Sequence, residues 1–307
     1  MQTAKLWKTF CAVVEHDGFQ GAQDILALSQ PAVSNHIAHL EELLGYRLCQ
    51  RGRSGFHLTE RGNQAYQKCR QMLNTIDDFE SELMALRGVL KGTLRIGVVD
   101  TVLTHQSLPI QDTIRAFYDQ DTDVTLEMTV ASPKQLEVDL LNNAIHVAIA
   151  PFWNRRTGLS YISIGKERHH LYCADTHPLF HRPSRDILPE QLHQYPRSYR
   201  SYEHQTTKDQ GRCHARRALV SNMEAQMLLL LSGHFVGTLP SHYAAQWEQQ
   251  GRLRTLCPQK MVWFSNFYIV SRQGAIKRHA VSRFIDLFCQ LIEKDPLDKD
   301  ITLPNLT

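Results

Sequence analysis

Between Gly18 and Leu44 the apolar positions fall at helical spacing. Val33, Ile37, Leu40 and Leu44 recur at i, i+4, i+7 and i+11, which makes one buried stripe, and a shorter amphipathic helix precedes it across a tight turn. Ser29 stands where that helix needs an N-cap, and Pro31 falls in its first turn, where a missing N–H costs nothing. Burying the stripe leaves Gln30, Ser34, Asn35 and Ala38 outside, near the N-terminal end. Small and amide-bearing residues suit a helix that enters the major groove of DNA and reaches base edges. An ordinary helical hairpin with a solvated face has the same pattern. Farther on, Thr59 is placed to cap a long helix running to about Leu90. Tyr66, Cys69, Leu73, Ile76, Phe79, Leu83 and Leu86 recur on it at steps of three and four, close to a coiled-coil seam. Such a seam either pairs with a second copy or lies on its own domain.

Lys91–Gly92 ends this pattern, and helices and strands alternate afterwards. Strands are predicted at Leu94–Val99, Val124–Val130, His146–Ala150, Leu159–Ile164, His170–Ala174, Phe235–Leu239 and Phe264–Val270. Helices are predicted near Leu108–Tyr118, from Ser132 as cap to Asn142, at Asn222–Leu231 and at Lys277–Glu293. Alternation of this kind means a parallel or mixed α/β sheet covered by helices. Open sheets of that class bind ligands at the carboxyl ends of their strands. Asp100–Thr104 and Ala131–Lys134 follow the first two strands, so Thr101 and Ser132 each offer a hydroxyl beside backbone N–H groups, a cradle for a carboxylate. Helix capping alone also accounts for either residue.

Charge sharpens the first part of the picture. The chain of 307 residues has a formal net charge of only +3, yet Gly45–Arg70 holds Arg47, Arg51, Arg53, Arg61, Lys68 and Arg70 against the single acid Glu60. Arg51–Leu58 reads as a short β-hairpin with glycines at its turn and two arginines, Arg51 and Arg53, projecting from it. A basic hairpin beside a recognition helix is a wing that grips phosphates. No run of about 18 apolar residues is present, which argues against a membrane span, and the first residues are no secretory signal. The seven cysteines are scattered without a CxxC, a reduced cytosolic pattern. Among the sixteen histidines, neither His169–His170 nor His177 with His181 has acidic and cysteine companions at ligand spacing, so no metal and no cofactor is expected. No catalytic motif is present, and an enzyme is not expected.

The chain resembles the LysR-type transcriptional regulators motif by motif. Phe10 with Val13–Val14, Gly18–Phe19, Ser29-Gln-Pro-Ala-Val-Ser34, Leu40-Glu-Glu-Leu-Leu-Gly45, Leu48, Arg51, Arg53 and Leu58-Thr-Glu-Arg-Gly62 fall in that family's order and spacing. Three positions depart from it: Gln23 replaces a usual alanine, Asn35 a frequent arginine, and Cys49 a packing phenylalanine. Cys49 reads as a smaller core plug, whereas Asn35 trades a long cation for a short amide, so the preferred DNA sequence is not borrowed from relatives.

The resemblance implies a winged helix-turn-helix at 1–58, a linker and dimerisation helix at 59–90, and an effector-binding domain at 91–307. That last domain would be α/β and periplasmic-binding-protein-like, with subdomains at about 93–161 plus 265–307 and at about 162–264. Gln30, Pro31, Ser34 and Asn35 would read bases while Arg51 and Arg53 hold phosphates. The inducer cleft would be lined by Thr101, Val102 and Ser132, with the loop Ser198–Tyr202 (including Tyr199 and Arg200) and Asn222 on the far wall; Arg200 is the candidate counter-ion for an acidic ligand. Implied partners are double-stranded DNA with an inverted repeat, a small-molecule effector, commonly a carboxylate, other copies of the chain as dimer or tetramer, and RNA polymerase. A cytoplasmic regulator follows. The alternative on the same fold is a thiol-based redox sensor, with Cys213 activated by Arg212, His214, Arg216 and Arg217.

Overall fold

The first helices close around the expected stripe. Helices α1 (Gln2–Glu15), α2 (Phe19–Leu26) and α3 (Gln30–Leu44) precede two antiparallel strands, β1 (Cys49–Gly52) and β2 (Gly55–Leu58). Val33, Ile37 and Leu40 are buried with Phe10, Val13, Phe19 and Leu48, and Leu44 packs half-buried on the same core. Cys49 is buried in this core as well. Ser29 caps α3 by accepting from the Ala32 N–H at 3.4 Å, and Gly45 ends the helix at φ 72°. The computed structural model describes residues 2–52, 55–120, 122–201, 217–275 and 279–292.

One contact in this unit has no signature in the periodicity. Glu41, on α3, accepts the backbone N–H of Leu48 at 2.7 Å and of Cys49 at 3.2 Å, so a single carboxylate ties the recognition helix to the first strand of the wing. Hydrogen bonds to a charged acceptor contribute about 1.5–3 kcal/mol. Glu41→Ala is therefore expected to cost about 2 kcal/mol, read as a lower urea midpoint for the unit that carries the wing. An unchanged midpoint would mean that water replaces the carboxylate at no cost.

Helix α4 (Glu60–Ala85) starts at the expected cap, with Thr59 Oγ1 accepting from the Gly62 N–H at 2.8 Å. It ends earlier than the periodicity indicates. The break falls before Gly88, at φ 77°, and Lys91–Gly92 already belong to the next strand. The expected seam divides into two. Tyr66, Cys69 and Leu73 pack on Trp7 and Cys11 of α1, with the Cys11 and Cys69 sulfurs 3.1 Å apart. Phe79, Leu83 and Leu86 are exposed. The chain forms two compact units, Met1–Gly88 with Asn142–Ala144, and Val89–Leu141 with Ile145–Thr307.

The second unit is built on one mixed sheet. Strands β3 (Lys91–Val98), β4 (Asp123–Val130) and β5 (Val147–Pro151) are parallel neighbours, connected through helices α5 (Ile110–Tyr118) and α6 (Pro133–Leu141). Parallel pairing requires crossovers of this length. β5 is buried throughout, as a strand covered on both faces must be. A single strand, β6 (Leu159–Ala174), takes the place of the two short strands expected there. Farther on lie β7 (Arg197–Arg200), β8 (Arg217–Val220), α7 (Met223–Leu231), β9 (Val236–Pro240), α8 (Ser241–Gln249), β10 (Leu253–Leu256), β11 (Val262–Arg272) and α9 (His279–Leu291). The sheet order is β4-β3-β5-β11-β6-β9-β7-β8, with β10 beside β6. The antiparallel strands β6 and β11 thus join two parallel groups, β4-β3-β5 and β9-β7-β8. Tyr199 and Arg200 lie in a strand rather than the expected loop, because Arg197–Arg200 pairs residue by residue with Arg217–Val220.

Candidate functional site

The first candidate surface belongs to the winged unit. Around the N-terminal turn of α3, Gln30, Pro31 and Asn35 are exposed and Ser34 is half-buried, while the opposite face is core. His36 is held from below by Thr9 Oγ1 at 2.8 Å, which fixes the roll of the helix. The hairpin pairs Arg51 with Phe56, and Phe56 packs edge-on against Phe19. The backbone of Arg51 is thus placed; its side chain and all of Arg53 lie outside the described residues. Exposed Arg47 and Arg61, the latter over the Tyr46 ring at 5.5 Å, extend the positive surface.

The second candidate surface is the carboxyl edge of both parallel strand groups. Val98 and Val130 are paired at the ends of β3 and β4, so the loops carrying Thr101, Val102 and Ser132 leave the sheet at adjacent strand ends. Thr101 holds a left-handed conformation at φ 71°, ahead of a 3-10 turn at Val102–Thr104. Ser132 accepts from the Gln135 N–H at 3.3 Å, which is the capping role. On the other group, Arg200 is paired with Val220, and Asn222 caps α7 by accepting from the Ala225 N–H at 2.9 Å. Tyr199 and Arg200 are both buried, and Tyr199 lies under the Arg197 guanidinium at 5.1 Å. At this edge Asp100 Oδ2 accepts from the Met223 N–H at the start of α7 and so links the two groups. The sequence pattern marks the loop Asp100–Thr104 and gives roles to Thr101 and Val102, but none to the Asp100 carboxylate. Its signal is an acid directly after a strand end in a fold that reserves that edge for ligands.

A third constellation was not expected. Glu167 on β6 is buried and takes hydrogen bonds from two histidines, His242 Nε2 to Oε1 and His169 Nε2 to Oε2, each at 2.8 Å. Burial pushes the Glu167 carboxyl up, but the hydrogen bonds and charge of His169 and His242 outweigh it and hold the group well below the usual carboxylate range. His105 joins them with its ring centroid 4.8 Å from that of His242. Burial, aided by the proximity of His242, pushes the His105 imidazole down to about 4. The expectation that His169 has no acidic companion is therefore corrected: residues i and i+2 of a strand share a face, so Glu167 is that companion. Cys213 lies outside the described residues.

Family comparison agrees with the layout of both units. Residues 4–63 match the bacterial regulatory helix-turn-helix protein family of lysR type, and residues 87–291 match the LysR substrate binding domain. The HTH-type transcriptional activator BauR of Pseudomonas aeruginosa is 33% identical over 285 residues, covering 92% of this chain and 93% of that protein. Among solved structures, full-length CbnR in complex with its target DNA aligns with a TM-score of 0.65 at 19% identity, over 95% of this chain and 100% of that one. Full-length OxyR from Pseudomonas aeruginosa aligns with a TM-score of 0.63 at 18% identity, over 95% and 96% of the two chains. No described helix is long and apolar enough to cross a membrane. With both family models matched in this order and a relative 33% identical over 92% of the chain, the chain belongs to the LysR family of DNA-binding transcriptional regulators, with an effector-binding domain after its DNA-binding domain.

Proposed function

We propose that this regulator reads an inverted-repeat operator as a homo-oligomer in the cytoplasm, with Gln30, Pro31, Ser34 and Asn35 on base edges and Arg51 and Arg53 on phosphates. The observation that carries this reading is the exposed N-terminal turn of α3, the one face of that helix its own core leaves open. The chain acts by binding rather than catalysis. Residues 1–58 form the DNA-binding domain, 59–90 the linker helix, and 91–307 the effector domain; within it β6 and β11 pass between subdomains at 93–161 plus 265–307 and 162–264.

The effector is a small carboxylate held among Thr101, Val102, Ser132, Tyr199, Arg200 and Asn222. What supports this is that one carboxylate, that of Asp100, already accepts the first amide of α7, where a helix N-terminus favours an anion. An incoming carboxylate competes with Asp100 for that amide. The ligand moves the equilibrium between subunit arrangements, and so the contact with RNA polymerase, only through unequal affinity for them.

The test is a binding titration on operator and random DNA at several salt concentrations. Gln30→Ala with Asn35→Ala is expected to lower the ratio of specific to random affinity, each lost base contact being worth about 1–3 kcal/mol. Arg51→Ala should weaken both and reduce the salt slope by about one. If the double variant keeps its discrimination, base reading belongs elsewhere.

A further inference from the structure

Neither DNA reading nor the proposed effector cleft uses the histidine and carboxylate cluster of the second unit. We infer that His105, Glu167 and His242 form a binding site for a divalent transition metal of zinc type. This goes beyond the effector proposal and does not depend on it, since it concerns a different ligand on different side chains.

Four observations converge on this site. Two imidazoles and one carboxylate are a ligand set that holds zinc and leaves one position open. Their ligand atoms all lie within 4.8 Å of one another, although the residues come from the turn after β3, from β6 and from the first turn of α8. Tetrahedral zinc needs ligand atoms about 3.4 Å apart, so a small approach of His105 completes the set. A metal would replace the proton now shared between Glu167 Oε1 and His242 Nε2. His105 itself is 7% exposed, and neither of its ring nitrogens has a hydrogen-bond partner. Burying an imidazole with both nitrogens unsatisfied is costly, and such a group calls for a partner that binds there.

The surroundings are those of a built site. Thr104 Oγ1 meets His242 Nδ1 at 2.8 Å, which fixes the ring and aims Nε2 at the carboxylate. His169, braced by Ser265 Oγ at 3.0 Å, holds the other oxygen of Glu167. Outer partners of this kind orient metal ligands and tune their affinity. The open position faces a cavity of about 210 Å³ whose lining includes Gln106, Ser107, Lys166 and Arg168. A water or an anionic co-ligand fits there. A bound metal ties the turn after β3 to α8, and so joins elements that flank opposite strand groups.

The experiment uses the full chain, stripped with a chelator and titrated with cobalt(II) as the spectroscopic probe, followed by zinc competition. The expected result is one equivalent of cobalt with ligand-field bands, no thiolate charge-transfer band, and displacement by zinc. His105→Ala and His242→Asn should each weaken uptake by at least about tenfold. His242→Asn keeps an amide near Thr104 but removes the donor to Glu167 Oε1, so its melting curve without metal is expected to fall; uptake is therefore read at a temperature where that curve shows the variant folded. Glu167→Gln, which keeps the size of the carboxylate, should also lose the metal. A folded parent chain that takes up no cobalt, cobalt bound with a thiolate band, or uptake unchanged in both histidine variants would each overturn the site.

Discussion

Gly62→Ala is expected to lower the melting transition of the DNA-binding unit by roughly 12–24 °C, with binding to any DNA lost above it, while the effector unit melts as before. A Cβ at Gly62 would sit 1.8 Å from the carbonyl oxygen of Leu48 and 2.8 Å from its carbonyl carbon. Leu48 has nowhere to retreat. Its N–H is held by Glu41 at 2.7 Å, its carbonyl accepts the Thr59 N–H at 3.0 Å, and its side chain is fully buried. The same Gly62 N–H is the one Thr59 caps, so moving the helix sacrifices the cap, about 1 kcal/mol, on top of about 1–3 kcal/mol for overpacking. A loss of about 3 kcal/mol shifts a small unit by roughly 12–24 °C. Gly45 provides the contrast: its Cβ would meet nothing within 4 Å, so alanine there costs only the left-handed backbone, about 1–2 kcal/mol. Thermal melts of the two variants, read as separate transitions for the two units, decide the matter. A Gly62→Ala transition no lower than that of Gly45→Ala would refute it.

What the residue pattern could foretell follows from the range of each interaction. The α3 stripe, the Ser29 and Thr59 caps and the hairpin are set by neighbours within a few positions, and periodicity with capping chemistry finds them. Gly165-Lys-Glu-Arg168 interrupts the apolar run of β6, so the pattern predicts two strands; pairing with β11 across Lys166–Arg168 carries one strand through. β7 has no local signature and reads as a loop, because its neighbour in the sheet, β8, lies beyond residues 202–216. The cluster of His105, Glu167 and His242 was invisible for the same reason, since His242 is 75 positions from Glu167. Ligand spacing along a sequence detects only sites whose ligands share an element. Spacing marks the α4 seam as apolar but does not say which apolar surface each part meets.

That division of α4 sets up the second large effect. Phe79→Glu with Leu83→Glu is expected to turn the oligomer into monomer at micromolar concentration and to lower operator affinity by at least about a hundredfold. Tyr66, Cys69 and Leu73 already spend their apolar surface on α1 of the same chain, so only the far part of the helix is left to meet another copy. There Phe79 is 59% exposed, Leu83 47% and Leu86 78%, spaced as a seam that a second α4 would cover. Burying one such side chain is worth about 1.5–3 kcal/mol. Four such side chains across a symmetric pair, each about half exposed beforehand, give roughly 3–6 kcal/mol, and the substituted chain must also desolvate four carboxylates to associate. A monomer carries one recognition helix and reads one half-site, so it loses the linked second contact that an inverted repeat provides. Light scattering after size exclusion reads the mass, and the operator titration reads the coupling. A double variant that keeps the parent mass and operator affinity would place the seam's partner elsewhere and leave the exposed stripe without this role.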